Sequence, residues 1–300
     1  MISDAIQTPQ ERALGHVAGL SSGPPVDPTL RVTLNFHPDR LVDGKPILEA
    51  LGQAGVYLSQ FVTGTSNGGL TAHPGGDRWR WESRIFGGAY DDASPHDRPV
   101  YGALNFRRKP VGAAPRFGSA CFQLNAQALA RTTFCYPDSY LEPADFATAE
   151  RMGLIELALA DAQDALDDYI EAQVHGAVRL DRDVEALVLD PCYQGTPLEE
   201  AARRLPCPVR WHPGFQLTVE ELHLRPAYRG QEYVDLGAQI AVGGRLDPRI
   251  VADAARTGRY DPQAVKKVWH YLARFGAPVR LFDGEANNGR EDVPVLDGLR

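Results

Sequence analysis

A row of polar side chains follows one predicted strand, in the run YIEAQVHG over residues 169–176. Strand alternation places Tyr169, Glu171, Gln173 and His175 on one face and the apolar residues between them on the other, in the core. A carboxylate with hydrogen-bonding neighbours can stabilise an oxocarbenium-like sugar and hold its 2′-hydroxyl. The alternative is that this row is the solvated face of an antiparallel sheet. Because the aligned face gives Glu171 its partners, we favour Glu171 as a catalytic carboxylate.

A second candidate set leaves the predicted strand over residues 30–36, in the tetrad His37-Pro38-Asp39-Arg40. Pro38 disfavours helix at His37, so the tetrad is expected on a turn at the strand end. An arginine on such a turn suits bidentate binding of a phosphate or carboxylate, and His37 and Asp39 could orient it or contact a ribose hydroxyl. The alternative is a simple turn in which Asp39 bonds its own backbone and Arg40 is solvated.

The third candidate set is a loop rich in glycine and hydroxyl residues. Every residue from 63 to 69 is Thr, Ser, Asn or Gly, and a polar Ser-Gln pair lies just before the loop. Glycines let a backbone approach a ligand closely, while Thr65, Ser66 and Asn67 can hydrogen-bond it. A hairpin loop is the alternative, since Asn-Gly is a strong turn dipeptide. The density of small polar residues favours a binding loop.

The elements that position these sets mix strands and helices without regular alternation. Strands are predicted over residues 30–36, 57–62, 120–124, 131–135, 169–180, 185–189 and 208–212, and helices over 45–54, 143–168 and 197–205. Two more helices are expected between residues 247 and 275, and residues 73–118 are expected to form loops and short strands over a site. GxGxxG and GxxxxGK[ST] motifs are absent, so the pattern favours an α+β fold over a doubly wound sheet.

Composition narrows the class of protein. The 300 residues are 43% hydrophobic and 23% charged, which is typical of a globular protein. The 39 acidic and 31 basic residues give a net charge of −8, which disfavours nucleic acid as a partner because phosphate binding needs a basic face. No apolar run reaches the ~20 residues of a membrane span. The four cysteines lack CxxC spacing, so we expect free thiols rather than disulfides or a zinc site.

No secretory signal is visible at the N-terminus. We therefore expect a cytoplasmic protein, or one secreted into a host cell without a classical signal peptide.

The chain order of an arginine, a Ser/Thr-rich segment and a strand-borne glutamate resembles that of the ADP-ribosyltransferases. The resemblance becomes closer in five runs, which are NFHPDR (35–40), QFVTGTSNGG (60–69), WESRIFGGAYD (81–91), RPVYGALNF (98–106) and YIEAQVHG (169–176). These runs resemble a bacterial family of formerly unknown function, similar to a type III effector that ADP-ribosylates ubiquitin on threonine. The resemblance covers roughly residues 28–280.

This resemblance implies NAD as the substrate that donates ADP-ribose, and the split β-sandwich of the ADP-ribosyltransferase fold with helical additions. It implies that Glu171 is the catalytic carboxylate. It also implies that Arg40 with His37 would hold the ADP half and that Ser66 with Thr65 and Asn67 would support the nicotinamide pocket. The full set of implied cofactor-binding residues is Asn35, His37, Asp39, Arg40, Thr65, Ser66 and Asn67. We expect a flexible segment over residues 1–27, an NAD-binding catalytic domain over 28–240 and a C-terminal helical extension packed on it over 241–300.

The chain departs from many transferases of this fold, which carry two glutamates or a Gln-x-Glu pair. Here the order is Glu171-x-Gln173, which disfavours arginine as the acceptor and suits a hydroxyl side chain, as on ubiquitin. Glu220 and Glu221, expected on another strand, are rivals for the catalytic role. Arg78 or Arg84 could assist at the diphosphate. Aromatic residues could stack on nicotinamide, and the candidates are Phe61, Trp81, Phe86, Tyr90 and Tyr101.

Two other functions stay open at this point. A metal-dependent hydrolase could use His37, Asp39 and His175, although no tight ligand spacing such as HExxH predicts a metal site. A non-catalytic protein-binding module of the same fold is the second alternative. The acidic net charge is a separate indication, because a negatively charged surface would be attracted to a basic partner face such as that of ubiquitin.

Overall fold

A computed structural model describes residues 7–42, 44–64 and 70–277 of the chain. Among these residues no helix combines the length and the apolar character that crossing a membrane would take. Thr65, Ser66 and Asn67, which the sequence placed in a binding loop, lie outside the described residues.

The described residues form strands and helices in alternation with short 3-10 turns. The strands are β1 (Val32–Phe36), β2 (Leu41–Val42), β3 (Lys45–Pro46), β4 (Val56–Tyr57), β5 (Val100–Leu104), β6 (Ala120–Leu124), β7 (Thr132–Tyr136), β8 (Asp145–Thr148), β9 (Ile170–Val174), β10 (Val178–Arg179), β11 (Val184–Leu189), β12 (Val209–Trp211), β13 (Leu217–Thr218) and β14 (Arg245–Leu246). The α-helices are α1 (Pro9–Leu20), α2 (Ile47–Ala54), α3 (Gln60–Thr63), α4 (Asp77–Ile85), α5 (Leu154–Ala160), α6 (Pro197–Arg203), α7 (Val219–His223), α8 (Gln231–Ile240), α9 (Pro248–Arg256) and α10 (Pro262–Phe275).

Eight of the strands form one mixed sheet in the order β12-β11-β6-β1-β5-β9-β7-β8. All neighbours in this sheet are antiparallel except β11 and β12, which are parallel. With helices packed around such a sheet and no repeated βαβ units among the residues that the structure describes, the prediction of an α+β fold is confirmed.

The sheet forks between β1 and β5. These strands pair only at Val32 with Leu104 and at Thr33 with Ala103, although β1 continues to pair with β6 as far as Phe36. Beyond Thr33 the two four-stranded halves of the sheet therefore diverge. At the fork a Cβ on Gly102 would lie 2.5 Å from Leu34 Cδ2, so only glycine fits there without a shift of its neighbours.

The polar row predicted on β9 is confirmed, but it is buried rather than solvated. Glu171, Gln173 and His175 are all buried, and the alternate residues of β9 belong to the main hydrophobic core. Helices α1 and α4 cover the polar side of this half, where a smaller cluster joins their apolar residues to Cys135 of β7. The sheet is thus enclosed on both faces at this point.

Most of the other elements agree with the sequence pattern. The predicted strands that became β1, β6, β7, β11 and β12 are confirmed, as are the helices α2, α6, α9 and α10. The predicted stop of α2 is also confirmed, because Gly55 ends the helix in a left-handed conformation with φ of 65°.

The N-terminal segment differs from the prediction. Residues 9–20 form the helix α1 where a flexible lead-in over residues 1–27 was expected. Thr8 and Glu11 form a capping box, Pro9 occupies the first turn, and the apolar residues of the helix pack against β8. The sequence contains the Thr8-x-x-Glu11 capping pattern, but the polar composition of the segment favoured the prediction of a flexible lead-in.

Three further predictions are corrected by the structure. The long helix predicted over 143–168 is wrong, because β8 pairs with β7 and leaves room only for the short α5. Residues 57–62 divide between β4 and α3, which begins after Ser59. Residues 73–118 contain the helix α4 as well as β5.

The C-terminal helices build a second core. Helices α7 to α10 share one apolar cluster, which includes Val268, Trp269 and Leu272 of α10. Trp269 also donates from Nε1 to the carbonyl of Arg116 at 3.1 Å, which ties α10 to the loop before β6. The proposed division of the chain into domains at residues 28 and 240 stays a prediction.

Candidate active site

A cavity of about 470 Å³ occupies the fork of the sheet. Its walls come from both sides of the fork, with Asn35 and Phe36 on β1 and Tyr101 and Gly102 on β5. Helix α2 supplies an apolar wall, and α3 closes another side. This volume lies in the range of small-molecule sites, which combine apolar walls with a few polar groups.

The cavity brings together residues from distant parts of the sequence. Four of the predicted site residues line it, namely Asn35, His37, Arg40 and Glu171. Thr63 of α3 lines it as well, two residues before the segment that the sequence predicts to bind nicotinamide. The sequence pattern therefore identified residues from both halves of the sheet that line one concave site.

Glu171 is held at the base of this cavity by a clamp of donors. Ser139 donates to Oε2 from its backbone amide at 3.1 Å and from its hydroxyl at 2.8 Å. Gln173 donates from Nε2 to Oε1 at 3.0 Å. The side chain lines the cavity although the residue is only 8% exposed. A carboxylate that already accepts three hydrogen bonds cannot rotate freely, so its charge points in a fixed direction.

Arg78 of α4 provides the positive charge beside this carboxylate. Its Nη1 donates to Ser139 Oγ at 2.7 Å and lies 3.9 Å from Glu171 Oε1. The guanidinium also stacks over the Tyr101 ring, 4.1 Å from the ring centroid. The Arg78 side chain is 3% exposed, and its Nε has no hydrogen-bond partner among the described residues. A buried cation with donor capacity left over therefore borders the cavity.

Behind Glu171, hydrogen bonds run in one direction along the sheet. The hydroxyl of Tyr90 bonds His175 Nδ1 at 2.7 Å, and His175 Nε2 bonds Thr133 Oγ1 at 3.0 Å. Thr133 in turn donates to Gln173 Oε1 at 2.9 Å. Because the Thr133 hydroxyl donates its proton to Gln173, it can only accept a hydrogen bond from His175. A neutral His175 ring therefore carries its proton on Nε2. Every donor in this series points toward Glu171.

The electrostatics of the buried groups agree with that direction. Burial lowers the pKa of His175 to about 3, and the charge of Arg131 contributes to the same shift. Burial raises the pKa of Glu171 above its ordinary value, Asp138 raises it further, and Arg78 and Ser139 lower it. The histidine is thus neutral at physiological pH, and its neutral form is the one that the hydrogen-bond series requires.

A second carboxylate faces the same cavity. Asp138 lies in the loop between β7 and β8, next to Ser139, and lines the cavity together with Tyr140 and Tyr169. Its Oδ2 accepts a hydrogen bond from the hydroxyl of Tyr169, and its Oδ1 accepts one from the backbone amide of Tyr140 at 3.0 Å. Tyr169 is fixed in turn by an edge contact with Phe117.

A buried ion pair supports the wall that carries Tyr101. Arg98 donates from Nη1 to Glu82 Oε2 at 2.6 Å, and the Tyr101 hydroxyl donates to the other oxygen of Glu82 at 2.9 Å. Burial raises the pKa of Glu82 to about 7, against the charge and hydrogen bond of Arg98. Arg98 also stacks over Phe61 of α3, so this pair links two walls of the cavity.

Asn35 lines the cavity, but its amide is already engaged. Its Nδ2 donates to the carbonyl of Val111 at 2.9 Å, and its Oδ1 accepts from the amide of Ala114 at 3.3 Å. These bonds hold the loop over residues 111–118 against the end of β1. The side chain therefore shapes the cavity wall, and direct contact with NAD stays a prediction.

His37 and Arg40 follow β1 and line the cavity from the half of the sheet that does not carry Glu171. The His37 ring packs edge-on against Trp269 of α10, with ring centroids 4.9 Å apart. Burial lowers the pKa of His37 to about 4, and the positive charges of Arg40 and Lys266 act in the same direction. A neutral imidazole beside an exposed arginine is able to hydrogen-bond a ligand without adding charge.

Asp39 lies apart from these residues. The hydroxyl of Tyr193 donates to its Oδ2 at 2.6 Å, and Asp39 is not among the described residues that line the cavity. Burial raises its pKa to about 6, while the bond from Tyr193 lowers it. The structure thus assigns this carboxylate a contact with the turn after β11, away from the predicted NAD-binding set.

The rival catalytic residues also lie elsewhere. Glu220 and Glu221 are exposed on α7, not on a strand, so that prediction is wrong. Glu221 caps this helix by accepting from the amide and hydroxyl of Thr218 at 2.9 and 3.0 Å. Neither glutamate belongs to the described lining of the cavity.

The residues considered for a metal site are not gathered. His175 is committed to Tyr90 and Thr133, and Asp39 to Tyr193, while His37 lines the cavity. Within residues 7–42, 44–64 and 70–277, no three His, Cys, Asp or Glu side chains are grouped so that they could hold a metal ion.

Of the arginine and aromatic residues that the sequence offered as assisting groups, some line the cavity and others lie elsewhere. Of the two assisting arginines, Arg78 lines the cavity beside Glu171, whereas Arg84 is half exposed and pairs with Glu142 at 4.0 Å. Of the aromatic candidates, Tyr101 lines the cavity. Trp81, Phe86 and Tyr90 belong to the apolar cluster under α1 and α4.

Sequence reasoning missed Asp138 and Ser139. Both follow a strand in the short run Tyr-Pro-Asp-Ser, a turn composition that is common in loops. Only the pairing of β7 with β9 shows that this turn reaches Glu171, 32 residues further along the chain.

Together the fold and the site define an α+β protein whose forked sheet holds a clamped carboxylate at the base of a cavity. The chain belongs to the family described as protein of unknown function (DUF3626), whose model matches residues 31–163 and 154–274. A comparison with curated proteins finds no match. The expectation of a family of formerly unknown function is thereby confirmed, and the similarity to a type III effector stays a prediction.

Proposed function

We propose that this protein is a mono-ADP-ribosyltransferase, which moves ADP-ribose from NAD to a hydroxyl side chain of a protein, with ubiquitin as the expected acceptor. The observation that carries the proposal is the clamp on Glu171. A buried carboxylate that accepts three hydrogen bonds and borders a cavity is built to face a developing positive charge.

The reaction would use that charge directly. As the bond between the nicotinamide ribose and nicotinamide lengthens, positive charge grows on the ribose, and Glu171 would stabilise it. The bonding electrons leave with nicotinamide, and the acceptor oxygen forms the new bond to the same ribose carbon. Because Ser139 and Gln173 already orient the carboxylate, little reorganisation is needed in the transition state.

The part of the cavity that Arg40 and His37 line suits the ADP half of the donor. Arg40 is a permanent cation that can make charge-assisted hydrogen bonds to a diphosphate, and neutral His37 beside it can bond a ribose hydroxyl. Arg78 lies close to Glu171, so it is better placed to restrict the motion of the Glu171 carboxylate than to bind the diphosphate. Binding energy from the ADP half would then be available to distort the nicotinamide ribose.

The forked sheet supports the same proposal. Its two four-stranded halves diverge after Thr33 and enclose the cavity between them, an arrangement that agrees with the split β-sandwich implied by the resemblance. Fold-level agreement is an analogy and supports function only together with the site.

The test is incubation of the full-length protein with labelled NAD and ubiquitin, with nicotinamide release measured in parallel. We expect the wild type to label ubiquitin and Glu171→Gln to lose both labelling and nicotinamide release by about 100-fold or more. Glu220→Gln is the matched control, since Glu220 is an exposed glutamate on α7.

Two results would overturn the proposal. If wild-type protein neither consumes NAD nor binds it, the transferase assignment fails. If Glu171→Gln keeps its activity while Glu220→Gln loses it, the catalytic role moves to α7 and the assignment of this cavity fails.

A further inference from the structure

Asp138 is the second carboxylate of the cavity, and it differs from Glu171 in exposure. It is half-buried, whereas Glu171 is 8% exposed. Tyr140, two residues after Asp138, also lines the cavity and is 49% exposed. The loop that carries Asp138 and Tyr140 is therefore in contact with solvent. Asp138 is therefore the more solvent-accessible of the two carboxylates that line the cavity.

The two carboxylates also differ in the hydrogen bonds that they can still accept. An ionised carboxylate offers about four acceptor positions. Glu171 fills three with Ser139 and Gln173, and the Cys135 thiol is a fourth, weak donor 3.8 Å from Oε1. The Arg78 guanidinium lies 3.9 Å from the same oxygen. Asp138 accepts one bond on each oxygen from the described residues, so one position remains on each.

The loop between β7 and β8 links the positions of the two groups. Asp138 and Ser139 are consecutive, and Ser139 is the residue that clamps Glu171. Tyr169 lies two residues before Glu171 on the chain and donates to Asp138. Each carboxylate therefore accepts a hydrogen bond from a residue that lies within two positions of the other in the sequence, which makes a rigid constellation of two acids in one cavity.

We propose that Asp138 is the catalytic base that accepts the proton of the acceptor hydroxyl. This inference rests on the transferase activity proposed above. In the step, the acceptor oxygen forms a bond to the ribose carbon, the bond from that carbon to nicotinamide breaks, and nicotinamide leaves with the electron pair. The hydroxyl proton passes to the free position on the Asp138 carboxylate. Glu171 keeps its hydrogen bonds and its charge throughout.

The separate roles of Glu171 and Asp138 indicate a hydroxyl group as the acceptor of ADP-ribose. A neutral hydroxyl must lose a proton as it attacks, and a carboxylate with an open acceptor position on the solvent side can take that proton. Glu171 is poorly suited to this task because its acceptor positions face donors of the protein. Asp138 supplies the base that Glu171 cannot.

The experiment compares Asp138→Asn with two controls in the full-length protein. Asparagine can keep the cap on the amide of Tyr140 but cannot take a proton. Asp145→Asn is the matched control, because Asp145 is an exposed aspartate on β8 outside the described lining of the cavity. Tyr169→Phe removes the donor to Asp138 and leaves the carboxylate in place. Two quantities are measured for each, NAD affinity and the rate of ubiquitin labelling.

We expect Asp138→Asn to bind NAD within about twofold of the wild type and to label ubiquitin about 100-fold more slowly, a typical loss for a general base. Asp145→Asn should match the wild type, and Tyr169→Phe should fall between the two. A second variant, Asp138→Ala, should regain part of its activity when formate is added, because formate can replace the missing carboxylate. A merely structural role for Asp138 would not produce this rescue.

The inference is overturned if Asp138→Asn labels ubiquitin at a rate within threefold of the wild type. It is also overturned if its labelling falls only in proportion to a loss of NAD affinity, or if formate rescues nothing. If the wild type releases nicotinamide without labelling ubiquitin, the acceptor is water and the same variants are judged by ADP-ribose formation. If the wild type does not bind NAD, the proposed function fails first and this inference fails with it.

Discussion

Ser139 donates two hydrogen bonds to one oxygen of Glu171, from its backbone amide at 3.1 Å and from its hydroxyl at 2.8 Å. The same hydroxyl accepts a bond from Arg78 Nη1 at 2.7 Å. One small residue thus connects the anion at the base of the cavity with its neighbouring cation. The carboxylate is oriented by the folded protein itself, before any ligand is bound.

Ser139→Ala tests this clamp. The variant keeps the backbone amide but loses the hydroxyl, so one hydrogen bond to a charged group disappears, at a cost of about 1.5–3 kcal/mol. If that bond acts on the transition state, nicotinamide release should slow by roughly 10- to 100-fold with little change in NAD affinity. Ser94→Ala is the control, since Ser94 is an exposed serine that caps a 3-10 turn. Equal rates in the two variants would contradict the role of the clamp.

The pH dependence of activity gives a second prediction. Burial raises the pKa of Glu171 above its ordinary value of 4.5, and only the ionised form stabilises a positive ribose. Activity should therefore fall as the pH falls through this raised pKa, so the acidic limb of kcat/KM lies above pH 4.5. In Ser139→Ala the limb should move to higher pH, because a hydrogen bond that lowers the pKa is lost. A limb at or below pH 4.5 would argue against Glu171 as the titrating group.

The sequence was informative where a residue's neighbours follow from local pattern. Alternation on β9 placed Glu171, Gln173 and His175 on one face, and the turn after β1 placed His37 and Arg40 together. It was uninformative about which strands become neighbours.

The clamp by Ser139 and the second carboxylate on Asp138 depend on the pairing of β7 with β9, which no short-range pattern encodes. The fork at Thr33 likewise depends on how two distant strands diverge. For the same reason Asp39, two residues after His37 in the sequence, was predicted to bind NAD although its carboxylate accepts a hydrogen bond from Tyr193.

Acid stability should depend on His175. Its pKa is about 3 in the folded protein and about 6.5 for an unperturbed histidine, so between these values the unfolded chain binds a proton that the folded one does not. Stability should then rise with pH up to about 6.5, and it should be lost as the pH falls, by on the order of 1 kcal/mol per pH unit.

His175→Gln should flatten this part of the stability curve, as measured by urea unfolding at several pH values. His223→Gln, at an exposed position on α7, should leave the slope unchanged. The same slope in His175→Gln and the wild type would show that another group controls acid unfolding.

Replacing Arg40 and, separately, Arg84 distinguishes a direct contact with NAD from a general effect of positive charge. Arg40 lines the cavity, whereas Arg84 is half exposed and pairs with Glu142. Loss of a charge-assisted contact to a diphosphate costs about 1.5–3 kcal/mol, so Arg40→Ala should weaken NAD binding by roughly 10- to 100-fold. Arg84→Ala should change it by less than about twofold. Titration calorimetry with NAD measures both, and equal effects would place the diphosphate elsewhere.

The fork itself is tested at Gly102. A Cβ at this position would lie 2.5 Å from Leu34 Cδ2 and 2.7 Å from the carbonyl oxygen of Thr33. The leucine methyl can move, but the backbone oxygen can move only if β1 and β5 separate. Gly102→Ala should therefore destabilise the protein by about 1–3 kcal/mol, as overpacking does elsewhere. Because Gly102 also lines the cavity, NAD binding should weaken as the walls shift.

Gly15→Ala is the control for Gly102→Ala, because the same change of residue type is expected to increase stability at position 15. Gly15 lies within α1, and a Cβ there meets nothing within 4 Å apart from the helix itself. Alanine in a helix interior is better than glycine by about 0.5–1 kcal/mol, so this variant should be more stable than the wild type and bind NAD equally well. If the fork at Gly102 is tightly packed, thermal unfolding gives stability changes of opposite sign for the two variants, and NAD titration shows weaker binding only for Gly102→Ala. If both alanines are tolerated alike, then the strands can separate at little cost and the cavity is not set by the close approach of β1 and β5.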